Sequence, residues 1–187
     1  MGNAKAVVAL TAWTFAAGAL AAEVGGVNLA DQQSVGGQTL VLNGAGIRTR
    51  AVFKVYVGSL YIPAKAPNLA AVLAQAPRRI QLNLLRNLSG DQLTDAVNDG
   101  LRANLTAAEV EALKSETDQF VAMVNTFGEL KEGGVVTLDF FEGATRVGFN
   151  GAVKGTIAGD AFNRALTKIW LGDKPAQADL KSAMLGG

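Results

Sequence analysis

The sequence predicts a single α+β domain built on an antiparallel sheet, and three observations carry that prediction. Strand-like segments come first, two amphipathic helical segments follow, and strands then a last helix close the chain, an order unlike repeated βαβ units. Turn-forming Gly, Asn and Pro residues punctuate the segments. The 187 residues, 49% apolar and 18% charged, supply one substantial core and are few for two domains.

The first segment sets the compartment. Lys5 precedes an uncharged run from Ala6 to Ala22, and Ala19-Leu20-Ala21 places small residues at the spacing a signal peptidase requires. Residues 1–22 are read as a cleaved secretory signal and 23–187 as the folded domain. The uncharged run, rich in Ala, is at the short limit for a bilayer span, so cleavage is expected over retention as an anchor. The expected location is periplasmic or secreted.

Gln38–Asn43 reads as a short strand, Asn43-Gly44-Ala45-Gly46 as a turn, and Ile47–Ile62, rich in Val, Phe and Tyr, as a long β-like stretch ended by Pro63 and Pro67. A short helix over Leu69–Ala76 leads to a strand over Arg79–Arg86, in which Ile80, Leu82 and Leu84 alternate with Gln81 and Asn83. Ser89 is a good N-cap for a helix with Leu93, Ala96, Val97, Leu101 and Leu105 on one stripe. Thr106 and Glu109 have capping-box spacing, and Val110, Leu113, Thr117, Val121 and Val124 continue an inward face. Val135–Phe140 and Thr145–Asn150 form a hairpin through Glu142-Gly143, Val153–Ile157 adds a strand, and Phe162, Ala165, Leu166, Ile169 and Trp170 mark a closing helix that stops near Gly172.

Composition removes whole classes of chemistry. With His 0 and Cys 0, the commonest general base, the thiol nucleophile and nearly every zinc, copper or haem site are missing, so neither metal nor cofactor is expected. Seventeen Lys and Arg against sixteen Asp and Glu leave a net charge of +1, which gives no global attraction to nucleic acid or to an anionic membrane, and no stable membrane insertion is expected once the signal is cleaved.

The densest polar cluster in the first strands is Arg48, Arg50, Lys54 and Tyr56, all even-numbered, which an uninterrupted strand sends to one face, with Phe53, Val55 and Val57 on the other. Facing a cleft, a guanidinium beside a phenol holds a carboxylate or an enolate; facing water, the cluster is ordinary solvation. Gly44-x-Gly46 lacks the following helix that a phosphate cradle needs. Glu129, Glu132, Asp139 and Glu142 are assigned to solvation near a turn and an exposed strand face, Phe162 and Trp170 to the core. Tyr61 is left between two readings, lining the cleft or ending a strand with its hydroxyl at the surface.

Gly44-Ala45-Gly46-Ile47-Arg48 and Phe53–Ile62 resemble the glycine-glycine-arginine turn and first long strands of chalcone-isomerase-fold proteins. Arg79–Leu101, through Asn87-Leu88-Ser89-Gly90-Asp91, and the helix ending at Gly172 are similar to later parts of that family, above all its bacterial, signal-bearing members. The resemblance covers most of the expected mature chain and implies a curved antiparallel sheet with helices packed on one face, an open-faced sandwich with a cleft. It gives Arg48 the ligand-binding role of the arginine in the plant isomerases, and it sets Tyr56 where those enzymes polarise the substrate ketone with a threonine.

The plant family's other polar positions fall on Leu93 (a tyrosine there), Gly100 (an asparagine) and Leu84 (a lysine), none of which donates a side-chain hydrogen bond. Loss of even one oxyanion donor costs about 2.7 to 4 kcal/mol, so catalysis is not expected and no catalytic residue is assigned. Fatty-acid-binding relatives pair the arginine with a tyrosine on a carboxylate head. The resemblance therefore implies a non-catalytic exported protein that binds a small amphipathic acid, such as a fatty acid, through Arg48 and Tyr56. The alternative is an intramolecular lyase or isomerase acting on a chalcone-like or other unsaturated ketone.

Overall fold

A computed structural model describes residues 22–187, so the expected signal segment, but for Ala22, lies outside the described residues. Two hairpins open the domain. Strands β1 (Ala22–Val24) and β2 (Val27–Leu29) are joined by Gly25-Gly26, and β3 (Gln32–Val35) and β4 (Gln38–Arg50) by Gly36-Gly37. All four glycines have positive φ, as tight two-residue hairpin turns demand. The main sheet is a curled antiparallel meander of seven strands in sequence order, β3 and β4 followed by β5 (Phe53–Ile62), β6 (Arg78–Leu84), β7 (Val135–Phe141), β8 (Ala144–Phe149) and β9 (Ala152–Ala158).

Helix α1 (Leu69–Leu73) links β5 to β6. Between β6 and β7 run α2 (Gly90–Asn104), α3 (Ala107–Ala112) and α4 (Lys114–Val124), and α5 (Asp160–Leu171) and α6 (Ala178–Met184) end the chain. Ser89 caps α2 and Thr106 caps α3, each with a reciprocal box to Gln92 and Glu109. The expected second helix is two, with the break at Leu113, and Phe120 and Val124 are its most deeply buried residues.

One side of the sheet, through Leu60, Ile80, Leu82, Leu84, Val136, Leu138 and Val147, shares a single apolar core with Leu93, Val97, Leu101, Phe120, Phe162, Leu166, Ile169 and Trp170 of the helices. A second, smaller cluster of Val35, Leu40 and Tyr61 is separate from it.

The expected turn at Asn43–Gly46 is instead the middle of β4, and the chain reverses at Ala51-Val52. The glycines serve packing: a Cβ at Gly46 would lie 2.7 Å from Ala183 Cβ, and one at Gly44 would collide with the Ala183 carbonyl oxygen. Helix α6, which the sequence reading missed, sits against the strands at these positions. Asn43 occupies a bulge, and its buried amide bonds Ala66 N and O and Met184 O, tying the strand to the loop after β5 and to the end of α6.

Candidate functional site

Arg48 and Tyr56 are direct cross-strand partners in the β4–β5 hairpin, on the face that the helices cover. Parity along one strand predicted a shared face; hairpin register delivers it. A bulge at Arg48/Thr49 then sets Thr49 opposite Lys54 and Arg50 opposite Phe53, so strict alternation stops there. Arg50 and Lys54 are exposed at the hairpin end, outside the pair.

Two residues that sequence reasoning did not place at the site complete it. Trp170 of α5 is 3% exposed, as a core residue should be, and its Nε1 donates to Tyr56 Oη at 3.0 Å. Gln177, just before α6, binds the stretch of β4 that β3 is too short to pair. Its Oε1 accepts from Thr49 N at 2.8 Å and from Arg48 Nη1 at 3.2 Å, and its Nε2 donates to Ile47 O at 3.4 Å. No local signal marks this residue, since its partners lie some 128–130 positions away.

Arg48 Nη1 also donates to Thr49 O at 2.6 Å. Among the described residues no carboxylate pairs with Arg48, and beyond its Nη1 bonds its guanidinium has only the Tyr56 oxygen within reach. Burial pushes the Tyr56 phenol above its ordinary value of 10.0, against the downward pull of the Trp170 N–H and the Arg48 charge. The hydroxyl therefore stays protonated at neutral pH, accepts from Trp170 and keeps its own proton to donate. A half-buried guanidinium with spare donors beside a phenol O–H matches a carboxylate or phenolate oxygen pair.

Leu84 is the cross-strand neighbour of Tyr56 on β6, and Leu84, Leu82, Leu60 and Trp170 are all nearly fully buried behind the pair. Two surface depressions lie elsewhere, one of about 510 Å³ beside Pro67, Lys181 and Leu185, the other of about 200 Å³ beside Asn104, Lys168 and Gly172. Neither is lined by Arg48 or Tyr56.

The remaining candidates divide. Glu129 is an exposed partner of Lys131. Asp139, expected to be solvated, is instead 5% exposed and takes Arg79 Nε and Nη2 at 2.6 and 2.8 Å on the sheet face away from the helices. Tyr61 neither lines a cleft nor reaches the surface: it is fully buried on that same face, with Ser59 and Gln33 near its hydroxyl but not aligned to bond it. Arg78 is 4% exposed, and burial, helped by the nearby Arg164 charge, pushes its guanidinium down to about 10. It donates to Gln75 O at 2.6 Å and to Asn163 Oδ1, fastening the end of α1 to α5. Among the described residues no group of three or more carboxylates could hold a metal ion.

A structural match joins this geometry to a known fold: the crystal structure of a fatty-acid binding protein from Arabidopsis thaliana superposes with a TM-score of 0.66 at 13% identity, covering 86% of this chain and 92% of that one. At that identity the likeness establishes the fold alone. No curated protein matches in sequence. The model of the chalcone isomerase-like family matches residues 21–186, and the chain belongs to that family.

Proposed function

We propose that this protein binds a small amphipathic acid, a fatty acid being the simplest, by its carboxylate at Arg48 and Tyr56, and does so outside the cytoplasm without catalysing a reaction. The single observation that carries the reading is a half-buried guanidinium with no carboxylate partner among the described residues, set beside a desolvated phenol that still has a proton to give. Burying such a charge is costly unless a counter-charge arrives, and a bound carboxylate supplies it in charge-assisted hydrogen bonds. The fatty-acid binding protein of the same fold supports this choice of ligand class. Export rests on the apolar, charge-free run from Ala6 to Ala22.

The space behind the pair is filled by Leu60, Leu82, Leu84 and Trp170, so an acyl tail enters only by separating helices from sheet. Affinity should then rise with chain length for short tails and level off where further separation offsets further burial. The isomerase alternative loses ground at Gly100, where the resemblance places the plant asparagine: a Cβ there would lie 2.7 Å from Ile169 Cγ2, because α2 and α5 touch. Gly100→Asn should therefore destabilise by about 1–3 kcal/mol, as overpacking does, without conferring turnover of a chalcone panel.

Calorimetric titration of the protein with saturated fatty acids of increasing length tests the reading. One-to-one binding that Arg48→Ala weakens at least about tenfold is the expected result, on the scale of a lost hydrogen bond to a charged group. Equal affinity in the two proteins would remove the proposal.

A further inference from the structure

The overall charge of +1 conceals a local segregation at the tip of the β4–β5 hairpin. Val52 and Phe53 at the tip are 84% and 56% exposed, two of the three large apolar side chains so exposed among the described residues. Arg50 and Lys54 flank them, and Arg86, just beyond β6, holds its guanidinium 4.7 Å from the centre of the Phe53 ring. All three cations are exposed, and among the described residues none takes part in an ion pair. A soluble domain ordinarily covers or scatters its large apolar side chains, and here an aromatic and a β-branched residue are presented together inside a ring of unneutralised cations.

That combination fits one occupant better than any other: the surface of an anionic phospholipid bilayer. Apolar side chains a few ångströms deep reach the acyl boundary, while flanking Lys and Arg stay at the level of the phosphates with their stems in the interface. Each such cation near an anionic surface is worth about a fivefold gain in partitioning. No helix among the described residues is long and apolar enough to cross a membrane, so the contact is peripheral.

We infer that the Arg50–Lys54 hairpin tip, with Arg86, docks this protein reversibly on anionic lipid. The inference goes beyond ligand binding but gives it a source: the tip begins two residues from Arg48, so docking brings the Arg48–Tyr56 pair near the surface in which amphipathic acids partition.

Co-sedimentation of the protein with phosphatidylcholine vesicles, with and without one-third phosphatidylglycerol, tests this. The protein should sediment with the anionic vesicles, weakly or not at all with the neutral ones, and be released at high salt. Arg50→Glu combined with Lys54→Glu should weaken sedimentation by at least about tenfold, and Val52→Asp combined with Phe53→Asp by a similar factor. All four side chains are exposed, so folding is retained. Val153→Asp, at an apolar residue 61% exposed on β9, serves as the control and should sediment like the parent. A parent that stays in the supernatant with both vesicles, or tip variants that sediment as the parent does, overturns the inference. Fatty-acid titration of the same variants without vesicles should match the parent, so failure of docking and failure of ligand binding read out separately.

Discussion

Two arginines sit beside two tyrosines on opposite faces of the same sheet, and what surrounds each differs. Arg79 on β6 has Tyr61 as its cross-strand partner on the face away from the helices, and its guanidinium is filled: Asp139 takes two N–H groups and Gln33 Oε1 a third at 3.1 Å. Arg48 on β4 has Tyr56 across the hairpin on the helix face, bonds only neutral oxygens and keeps donors free. The tyrosines differ the same way. Tyr61 Oη is buried without a partner, whereas Tyr56 Oη accepts from Trp170. Type of residue and pairing across strands are shared; whether a counter-charge is built into the protein separates a staple from a site.

The staple should break hardest. Asp139→Ala leaves a guanidinium whose side chain is only 16% exposed without its carboxylate, which should cost about 3–5 kcal/mol, a large share of the 5–15 kcal/mol that holds such a domain folded. Arg79→Met added to that variant should recover much of the loss. A loss under about 1 kcal/mol in chemical denaturation would show that the pair acts as a surface bridge and would erase the contrast.

At the site the signs reverse. Arg48→Ala should change stability by less than about 1 kcal/mol, since two neutral acceptors are all it satisfies, while fatty-acid affinity falls by about a hundredfold. A variant that unfolds as Asp139→Ala does would make Arg48 a second staple.

The tyrosines give the sharper test because the substitution is identical. Tyr56→Phe strands the Trp170 N–H and removes a donor from the ligand, so stability should drop by about 1 kcal/mol and affinity by about tenfold. Tyr61→Phe removes a hydroxyl that bonds nothing and should be neutral or stabilising. Equal effects of the two would mean that the Trp170 bond contributes nothing.

Much of this architecture was legible locally. The N-cap at Ser89, the capping box at Thr106, the hairpin at Glu142-Gly143 and the stripe on α5 are read from residues a few positions apart, and each stands as expected. The Gly25-Gly26 and Gly36-Gly37 pairs also carried a hairpin signal, which went unread. What sequence patterns do not encode is which distant surface arrives. Gly44 and Gly46 look like a turn until α6 lies against them, Gly100 looks like a lost catalytic residue until Ile169 fills its place, and Gln177 looks like loop until it pairs the free edge of β4. Arg48 and Tyr56 were legible as a pair because a hairpin and a single strand of matching parity both bring them to one face. Trp170 was legible as core and only the fold adds its hydrogen bond.

The smallest expected effect is that of pH. With His 0, no side chain has its ordinary titration between about pH 5 and 8. Tyr56 and Tyr61 are both raised above 10.0, by desolvation first, and neither ionises there. Fatty-acid affinity should therefore be flat from about pH 6 to 9, where the ligand is a carboxylate and Tyr56 a phenol. Stability follows the same phenols. A folded state that holds a phenol protonated above its unfolded value keeps that contribution whole below about pH 10 and loses it as pH rises through the folded value, because the unfolded chain releases the proton first. Denaturation midpoints should hold steady through neutrality and fall at the alkaline end. In Tyr56→Phe the alkaline fall should be shallower, since one of the two raised phenols is gone, and a fall of unchanged depth would show that Tyr56 contributes nothing to it.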